Sequence, residues 1–126
     1  MHIEHIAIWT QDLERSKAFY LRYFSGSAGE NYRNDSKGLT SCFIIFDGNA
    51  RLEIMQMDGA ESGEIPPHTG IAHFAVSLGS KEAVDLLTNK IQNDGWQVAG
   101  HPRKTGDGYY ESVVLDPDGN RIELTV

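Results

Sequence analysis

The chain of 126 residues carries the same short motifs in the same order in its two halves, and this duplication restricts its possible folds most strongly. The tetrapeptide HIAI near the start returns as HFAV, and RLEI in the middle returns as RIEL near the end. Glu53 follows His5 by 48 residues, and Glu123 follows His73 by 50. A repeat of half the chain predicts two similar modules within one protein.

The first half predicts a β-α-β-β order of elements. The predicted elements are a strand over 3–9, a helix from residue 13 to about 26, and strands over 39–46 and 51–57. Asp12 is placed to cap the helix, and large apolar residues then recur at helical spacing. The turn sequence DGNA separates the last two strands, and a further short strand fits around Tyr32.

The second half predicts the same start followed by three strands. The predicted elements are a strand over 71–78, a helix capped by Ser80 and closed by Gly95, and strands over 96–99, 109–115 and 121–126. Glycine and proline are concentrated between the halves. We therefore expect one domain over 1–126, with module 1 at about 1–58, a linker at about 59–69 and module 2 at about 70–126.

Strand periodicity predicts the direction of the repeated His and Glu side chains, because neighbouring residues of a strand point to opposite faces. Four aliphatic sets should pack under the helices: Ile6 and Ile8; Leu52 and Ile54; Phe74, Val76 and Leu78; and Ile122, Leu124 and Val126. His5, Glu53, His73 and Glu123 then face the other side.

Two interpretations of these four residues remain open. A single strand histidine is usually a hydrogen-bonded structural residue, and a single glutamate is usually solvated or paired, here with Arg51 or Arg121. Two imidazoles and two carboxylates at matched positions instead suit a divalent metal, since unpaired carboxylates brought together repel each other and need a cation. The unrepeated His2, His68 and His101 are not expected to be ligands.

The net charge of −7 argues against nucleic acid and anionic membranes as partners, because both reward a concentrated basic face. No apolar run approaches the roughly 20 residues needed to span a bilayer, and the charged N-terminus does not resemble a signal peptide. We expect a cytoplasmic protein, with small molecules and other proteins both open as partners. Cys42 lies in an apolar run and is expected to be a buried thiol.

Over essentially its whole length the chain resembles the vicinal oxygen chelate superfamily and, within it, glyoxalase I (lactoylglutathione lyase). The matching phrases are His5-x-x-Ile8, Asp12-Leu13, Phe19-Tyr20, Arg51-Leu52-Glu53, Gly70-Ile71-Ala72-His73, Tyr110-Glu111-Ser112 and Asp116 through Glu123. The resemblance implies an α+β fold in which two βαβββ modules in tandem form a curled mixed sheet around a metal cleft.

The resemblance also implies a ligand set and an assembly. The ligand positions fall on His5, Glu53, His73 and Glu123. One divalent ion per site is implied, with Ni or Co favoured for a short chain of this kind and Zn, Mn or Fe as alternatives. Sites in glyoxalase I relatives usually form between two subunits, so a homodimer is implied.

The chemistry implied is metal-stabilised proton transfer through an enediolate. In the resembled enzyme it converts the hemithioacetal of methylglyoxal and glutathione into a lactoyl thioester. We assign Glu123 as the base, with Glu53 as the second choice.

Substrate contacts depart from that pattern. Glutathione-dependent relatives commonly have Arg and Asn where this chain has Trp9 and Met57. Another thiol adduct, or a small carbonyl compound, fits equally well. The glycine-rich segment 101–109 is expected to be a loop, and its Arg103, Lys104 and Tyr109 are candidates for substrate contact, although such charges are as often simply solvated.

Other members of the resembled superfamily are alternatives. A thiol transferase conferring fosfomycin resistance generally has three ligands, and Glu53 would be a fourth. Methylmalonyl-CoA epimerase usually has Gln at that position, and ring-cleaving dioxygenases use iron and are usually longer. A non-catalytic bleomycin-resistance protein binds a drug without metal ligands, whereas all four ligand positions are intact here.

Overall fold

A computed structural model describes residues 4–48, 50–59, 73–106 and 108–126. The chain divides into two units, Met1–Glu64 and Ile65–Val126. Most of the predicted linker, and positions 71 and 72 of the predicted second-half strand, lie outside the described residues.

Within its described residues, the first unit contains one helix and a mixed sheet. Its elements are β1 (His5–Trp9), α1 (Leu13–Tyr23), β2 (Ser27–Ala28), β3 (Tyr32–Asn34), β4 (Leu39–Ile45) and β5 (Arg51–Met57). The sheet order is β1-β5-β4-β2, and β3 also pairs with β4. β1 runs parallel to β5, and β4 is antiparallel to its neighbours. The strand expected around Tyr32 is confirmed, whereas the two-residue β2 was not predicted.

The second unit repeats this plan. Its elements are β6 (Phe74–Ser77), α2 (Lys81–Asn93), β7 (Val98–Lys104), β8 (Tyr110–Leu115) and β9 (Arg121–Thr125). The sheet order is β6-β9-β8-β7, with β6 parallel to β9 and the other pairs antiparallel. The expected α+β fold of two βαβββ modules is therefore confirmed, with one sheet in each unit.

Both helices begin at the predicted caps. The Asp12 carboxylate accepts a hydrogen bond from the Arg15 N–H at 3.0 Å, and the Ser80 hydroxyl accepts one from the Ala83 N–H at 3.1 Å. α1 ends at Tyr23, earlier than predicted. Gly26 is instead required by close packing, because a Cβ atom there would lie 2.9 Å from the Ile45 carbonyl oxygen.

The core of the first unit lies between α1 and one face of its sheet. The predicted helical stripe is buried, and so are the inward residues of β4 and β5: Leu13, Ser16, Phe19, Tyr20, Tyr23, Phe24, Cys42, Ile44, Leu52 and Ile54. Burial raises the pKa of the Cys42 thiol, and its Sγ donates to the Gly29 carbonyl at 3.3 Å. The expected buried thiol is confirmed.

In the second unit, Val84 and Ile91 of α2 are buried, as are Val114, Ile122 and Leu124 of the sheet. A buried hydrogen bond of 2.6 Å joins the hydroxyls of Thr88 and Ser112. Both helices thus cover the aliphatic face of the adjacent sheet, as the periodicity predicted. Val126 is an exception, since it follows the end of β9 and is exposed.

The segment after the second helix corrects the sequence prediction. Residues 101–104 were expected in a loop, but they belong to β7, which continues to Lys104. Pro102 is tolerated because β7 is the edge strand and its register shifts between Gly100 and Arg103. The turn that remains is closed by a hydrogen bond of 2.8 Å from the Thr105 N–H to the Tyr109 carbonyl.

Across the described ranges, neither helix has the length and apolar character required to cross a membrane.

Candidate metal centre

The first His–Glu pair lies on the helix-free face of the first sheet. β1 and β5 are adjacent and parallel, with Ala7 in register with Glu53, so His5 and Glu53 project from neighbouring strands on the same side. The His5 Nε2 atom lies 3.9 Å from the Glu53 Oε2 atom. The carboxylate is the more buried partner, with 18% of its side chain exposed against 42% for the imidazole.

The imidazole of His5 has a second carboxylate on its other side. Its Nδ1 lies 2.5 Å from the Glu4 Oε2, and the other oxygen of Glu4 pairs with the Arg51 guanidinium. The hydrogen bond from His5 is the largest cause of a lowered pKa for Glu4, and the hydrogen bond and positive charge of Arg51 lower this pKa further. Sequence reasoning missed Glu4, because adjacent residues of a strand point apart. Glu4 lies just before β1, where strict alternation no longer applies.

The second pair occupies the corresponding place in the second unit. His73 precedes β6, and Glu123 is in register with Ala75 of that strand. The His73 Nε2 and Glu123 Oε2 atoms are 3.2 Å apart. The pair borders an open pocket of about 390 Å³, whose lining is His73, Ala75, Thr105, Tyr109, Glu111, Glu123 and Thr125.

Glu111 is a further carboxylate in this pocket that the sequence interpretation overlooked. It is in register with Thr125 and lies near the Arg103 guanidinium, with 3.4 Å between the Glu111 Oε1 and Arg103 Nη2 atoms. Strand alternation could have revealed it, since Glu111 and Val113 share a face and Val113 is in register with Glu123.

The other predicted substrate contacts lie in different surroundings. Trp9 and Met57 are exposed and share the strand face of His5 and Glu53. Tyr109 lines the pocket beside His73 and Glu123. Lys104 is in register with Tyr110, whose hydroxyl donates to Asp85 of α2 at 2.7 Å. Lys104 therefore lies on the side of the sheet that carries α2.

Both pairs fit a divalent cation in the chemistry of their donors, and the His73–Glu123 pair also fits in spacing, whereas the atoms of the His5–Glu53 pair are 3.9 Å apart. Two neighbouring ligand atoms bonded to one ion at about 2.1 Å lie roughly 3 Å apart, close to the 3.2 Å between His73 and Glu123. An ionised Glu4 can only accept a hydrogen bond, so the Nδ1 atom of His5 carries a proton and Nε2 is the ring atom left to bind a metal beside Glu53.

Each unit supplies one such pair. Among the residues that the structure describes, no group of three or more His, Cys, Asp and Glu side chains is close enough to hold a metal ion. His101 lies exposed in β7, while His2 and His68 fall outside the described ranges.

Comparison with known proteins identifies the family. Residues 2–124 match the Glyoxalase/Bleomycin resistance protein/Dioxygenase superfamily. The chain belongs to this superfamily. A relative of similar length is the uncharacterized protein YqjT of Bacillus subtilis (strain 168). It is 27% identical to this chain over 128 residues, which cover 97% of this chain and 96% of that protein.

Solved structures share the superfamily fold. The glyoxylase/bleomycin resistance protein/dioxygenase domain from Frankia sp. EAN1pec superposes with a TM-score of 0.87 at 16% identity, covering 100% of this chain and 97% of that one. Glyoxalase I from Zea mays gives 0.82 at 23% identity, covering 98% of this chain and 43% of the maize chain. At these identities the likeness establishes the fold alone.

Proposed function

We propose that this superfamily protein is a metal-dependent lyase of the glyoxalase I type. Its substrate is a hemithioacetal of a 2-oxoaldehyde such as methylglyoxal, and its product is a 2-hydroxyacyl thioester. The observation that carries the proposal is the 3.2 Å approach of His73 to Glu123 in an open pocket, repeated as the His5–Glu53 pair at the matching place in the first unit.

The ligand set proposed is His5, Glu53, His73 and Glu123. The proposal includes a homodimer with its metal sites at the subunit interface. Imidazole and carboxylate donors suit a borderline divalent ion, with Ni or Co favoured and Zn, Mn or Fe as alternatives. A bound ion supplies Lewis acidity toward substrate oxygens on adjacent carbons. Light scattering of the metal-loaded protein tests the dimer.

The proton transfer is assigned to Glu123. Its carboxylate takes the proton from the carbon that carries sulfur and hydroxyl and returns it to the neighbouring carbonyl carbon, while the hydroxyl proton passes to the former carbonyl oxygen. The first carbon is oxidised and the second is reduced, so the reaction is an internal redox isomerisation. The position of Glu123 on a central strand, with 22% of its side chain exposed, supports this role by holding the base while leaving it reachable. Glu53 is the second choice because the modules are nearly symmetric.

Substrate contacts are proposed on both units. The exposed Trp9 and Met57 offer apolar surface beside the His5–Glu53 pair, and Tyr109 borders the pocket at His73 and Glu123. The charge of Arg103 is offset by Glu111 at 3.4 Å. Apolar surface at Trp9 and Met57, together with an Arg103 charge already paired by Glu111, favours a thiol cosubstrate with less negative charge than a tripeptide with two free carboxylates.

The test is turnover of methylglyoxal adducts of several thiols by protein loaded with Ni, Co, Zn or Mn. Glu123→Gln should retain the fold by circular dichroism but lose about 100-fold or more of turnover, since general base catalysis contributes on that scale. His73→Ala should lose bound metal, whereas the control His101→Ala should not. Full turnover by Glu123→Gln would refute its assignment as the base. A metal-free protein with no gain on metal addition would refute the enzymatic function.

A further inference from the structure

We propose that Glu4 is a positioning residue for His5, which holds the imidazole in the tautomer and orientation needed to bind a metal through Nε2. This inference rests on the proposed metal ligation by His5. It adds a residue to the first unit that has no counterpart in the repeat.

The tautomer follows from the hydrogen bond. An ionised carboxylate has no proton to donate, so the 2.5 Å contact requires the proton on Nδ1 of His5. In the neutral ring Nε2 is then free of hydrogen, and it is this atom that lies 3.9 Å from Glu53. Carboxylates that accept from the second nitrogen of a histidine ligand fix its ring and increase its basicity.

Glu4 is itself held in place by β5. Its carbonyl accepts a hydrogen bond of 2.9 Å from the Arg51 N–H, and its carboxylate pairs with the Arg51 side chain. Arg51 is further fixed because its Cζ lies 4.1 Å from the centre of the Phe43 ring. The carboxylate is therefore anchored through both main chain and side chain.

Phe43 closes the arrangement on the remaining side of the imidazole. The His5 and Phe43 rings meet edge to face, with centroids 5.5 Å apart. Phe43 is in register with Glu53, so the ring that packs against His5 stands directly beside the second proposed ligand. The His5 ring is thus limited by Glu4 at Nδ1 and by Phe43 at its side.

The second unit offers an internal comparison. The residue before His73 is Ala72, which has no side-chain acceptor. A substitution of Glu4 should therefore change His5 and leave His73 as it is. This difference separates a specific effect on one imidazole from a general loss of structure.

The first experiment measures the tautomers of both rings in the metal-free protein, by long-range ¹⁵N–¹H correlation spectra at about pH 9, well above the reference pKa of histidine. The wild-type His5 should carry its proton on Nδ1. In Glu4→Leu it should shift toward the Nε2–H form, with His73 unchanged. Glu30→Gln, which removes an exposed carboxylate from the same unit, should have no effect. An unchanged His5 tautomer in Glu4→Leu would overturn the proposal.

The second experiment titrates Ni²⁺ or Co²⁺ into the same variants by calorimetry. Loss of a carboxylate partner of a ligand histidine typically weakens metal binding by about 10-fold to 100-fold, and we expect this for Glu4→Leu. Glu4→Gln keeps an acceptor oxygen, so its metal affinity should lie between those of wild type and Glu4→Leu. If Glu4→Leu does not fold, Glu4→Gln replaces it in the test. Wild-type affinity in both variants would overturn the positioning role alone, whereas absence of metal binding by the wild type would overturn the proposed function.

Discussion

At the residue scale, the two histidines and two glutamates could be found from their spacing and from strand alternation, but their partners could not. Glu4 is adjacent to His5 in sequence, which in a regular strand would place it on the opposite face. Only the position of Glu4 before β1, and its contact with Arg51, bring its carboxylate to the imidazole.

Tyr110 makes another side-chain contact that only the tertiary structure reveals, and this contact makes the stability of the fold depend on pH. Its hydroxyl donates to Asp85, and this hydrogen bond raises the pKa of Tyr110 above its usual value of 10.0. The raised pKa means that the folded state favours the neutral phenol. Its contribution to stability is therefore present below pH 10 and is lost as pH rises through the higher folded-state pKa.

We expect Tyr110→Phe to lower the Tm at pH 7, because the Asp85 carboxylate loses its donor. The difference from wild type should shrink above about pH 10. Tyr32→Phe, at an exposed tyrosine of the first unit, should change the Tm little at either pH. Thermal unfolding followed by circular dichroism across this pH range measures both variants. An equal Tm for Tyr110→Phe and wild type at pH 7 contradicts the assigned role.

At the element scale, starts were predicted better than ends. Both helix N-termini coincide with side chains that accept from the first turn, a signal confined to four consecutive residues. The predicted end of β7 was wrong, because the glycine, proline and charged residues of segment 101–109 suggested a loop. An edge strand with shifted register accommodates these residues, and sequence alone does not reveal which strand is at the edge.

The N-cap of α2 makes a contribution to stability that one substitution can measure. Ser80→Ala should lower the free energy of unfolding by about 1 kcal/mol, because the Ala83 N–H loses its acceptor. Ser80→Asn should restore most of this loss, since asparagine is an equally good cap. Urea denaturation measures all three proteins. A Ser80→Ala variant as stable as wild type would contradict the capping role.

At the scale of the whole molecule, the described part of each unit contains one helix, one mixed sheet and one His–Glu pair. Metal binding to the proposed ligands is linked to folding, because those ligands are positioned only in the folded state. Any ligand that binds only the folded state stabilises it according to its concentration and affinity.

Metal removal should therefore destabilise the protein. At a free metal concentration 100 times the Kd, the expected stabilisation is about 2.7 kcal/mol, and a chelator should abolish it. Differential scanning calorimetry with Ni²⁺, with chelator, and after metal is restored measures the effect. His5→Ala should not respond to metal, whereas His101→Ala should respond as wild type does. A wild-type Tm independent of metal contradicts the proposed linkage.

The sequence by itself determined the two-module plan, the caps, the inward faces of the strands and the identity of the repeated His and Glu residues. Each of these depends on local periodicity or on direct repetition. Only the tertiary structure decided that Glu4 contacts His5, that Glu111 lies near Arg103, and that Lys104 lies on the side of α2. Those contacts depend on strand register and on irregularities at strand ends, which arise from pairing between segments distant in sequence.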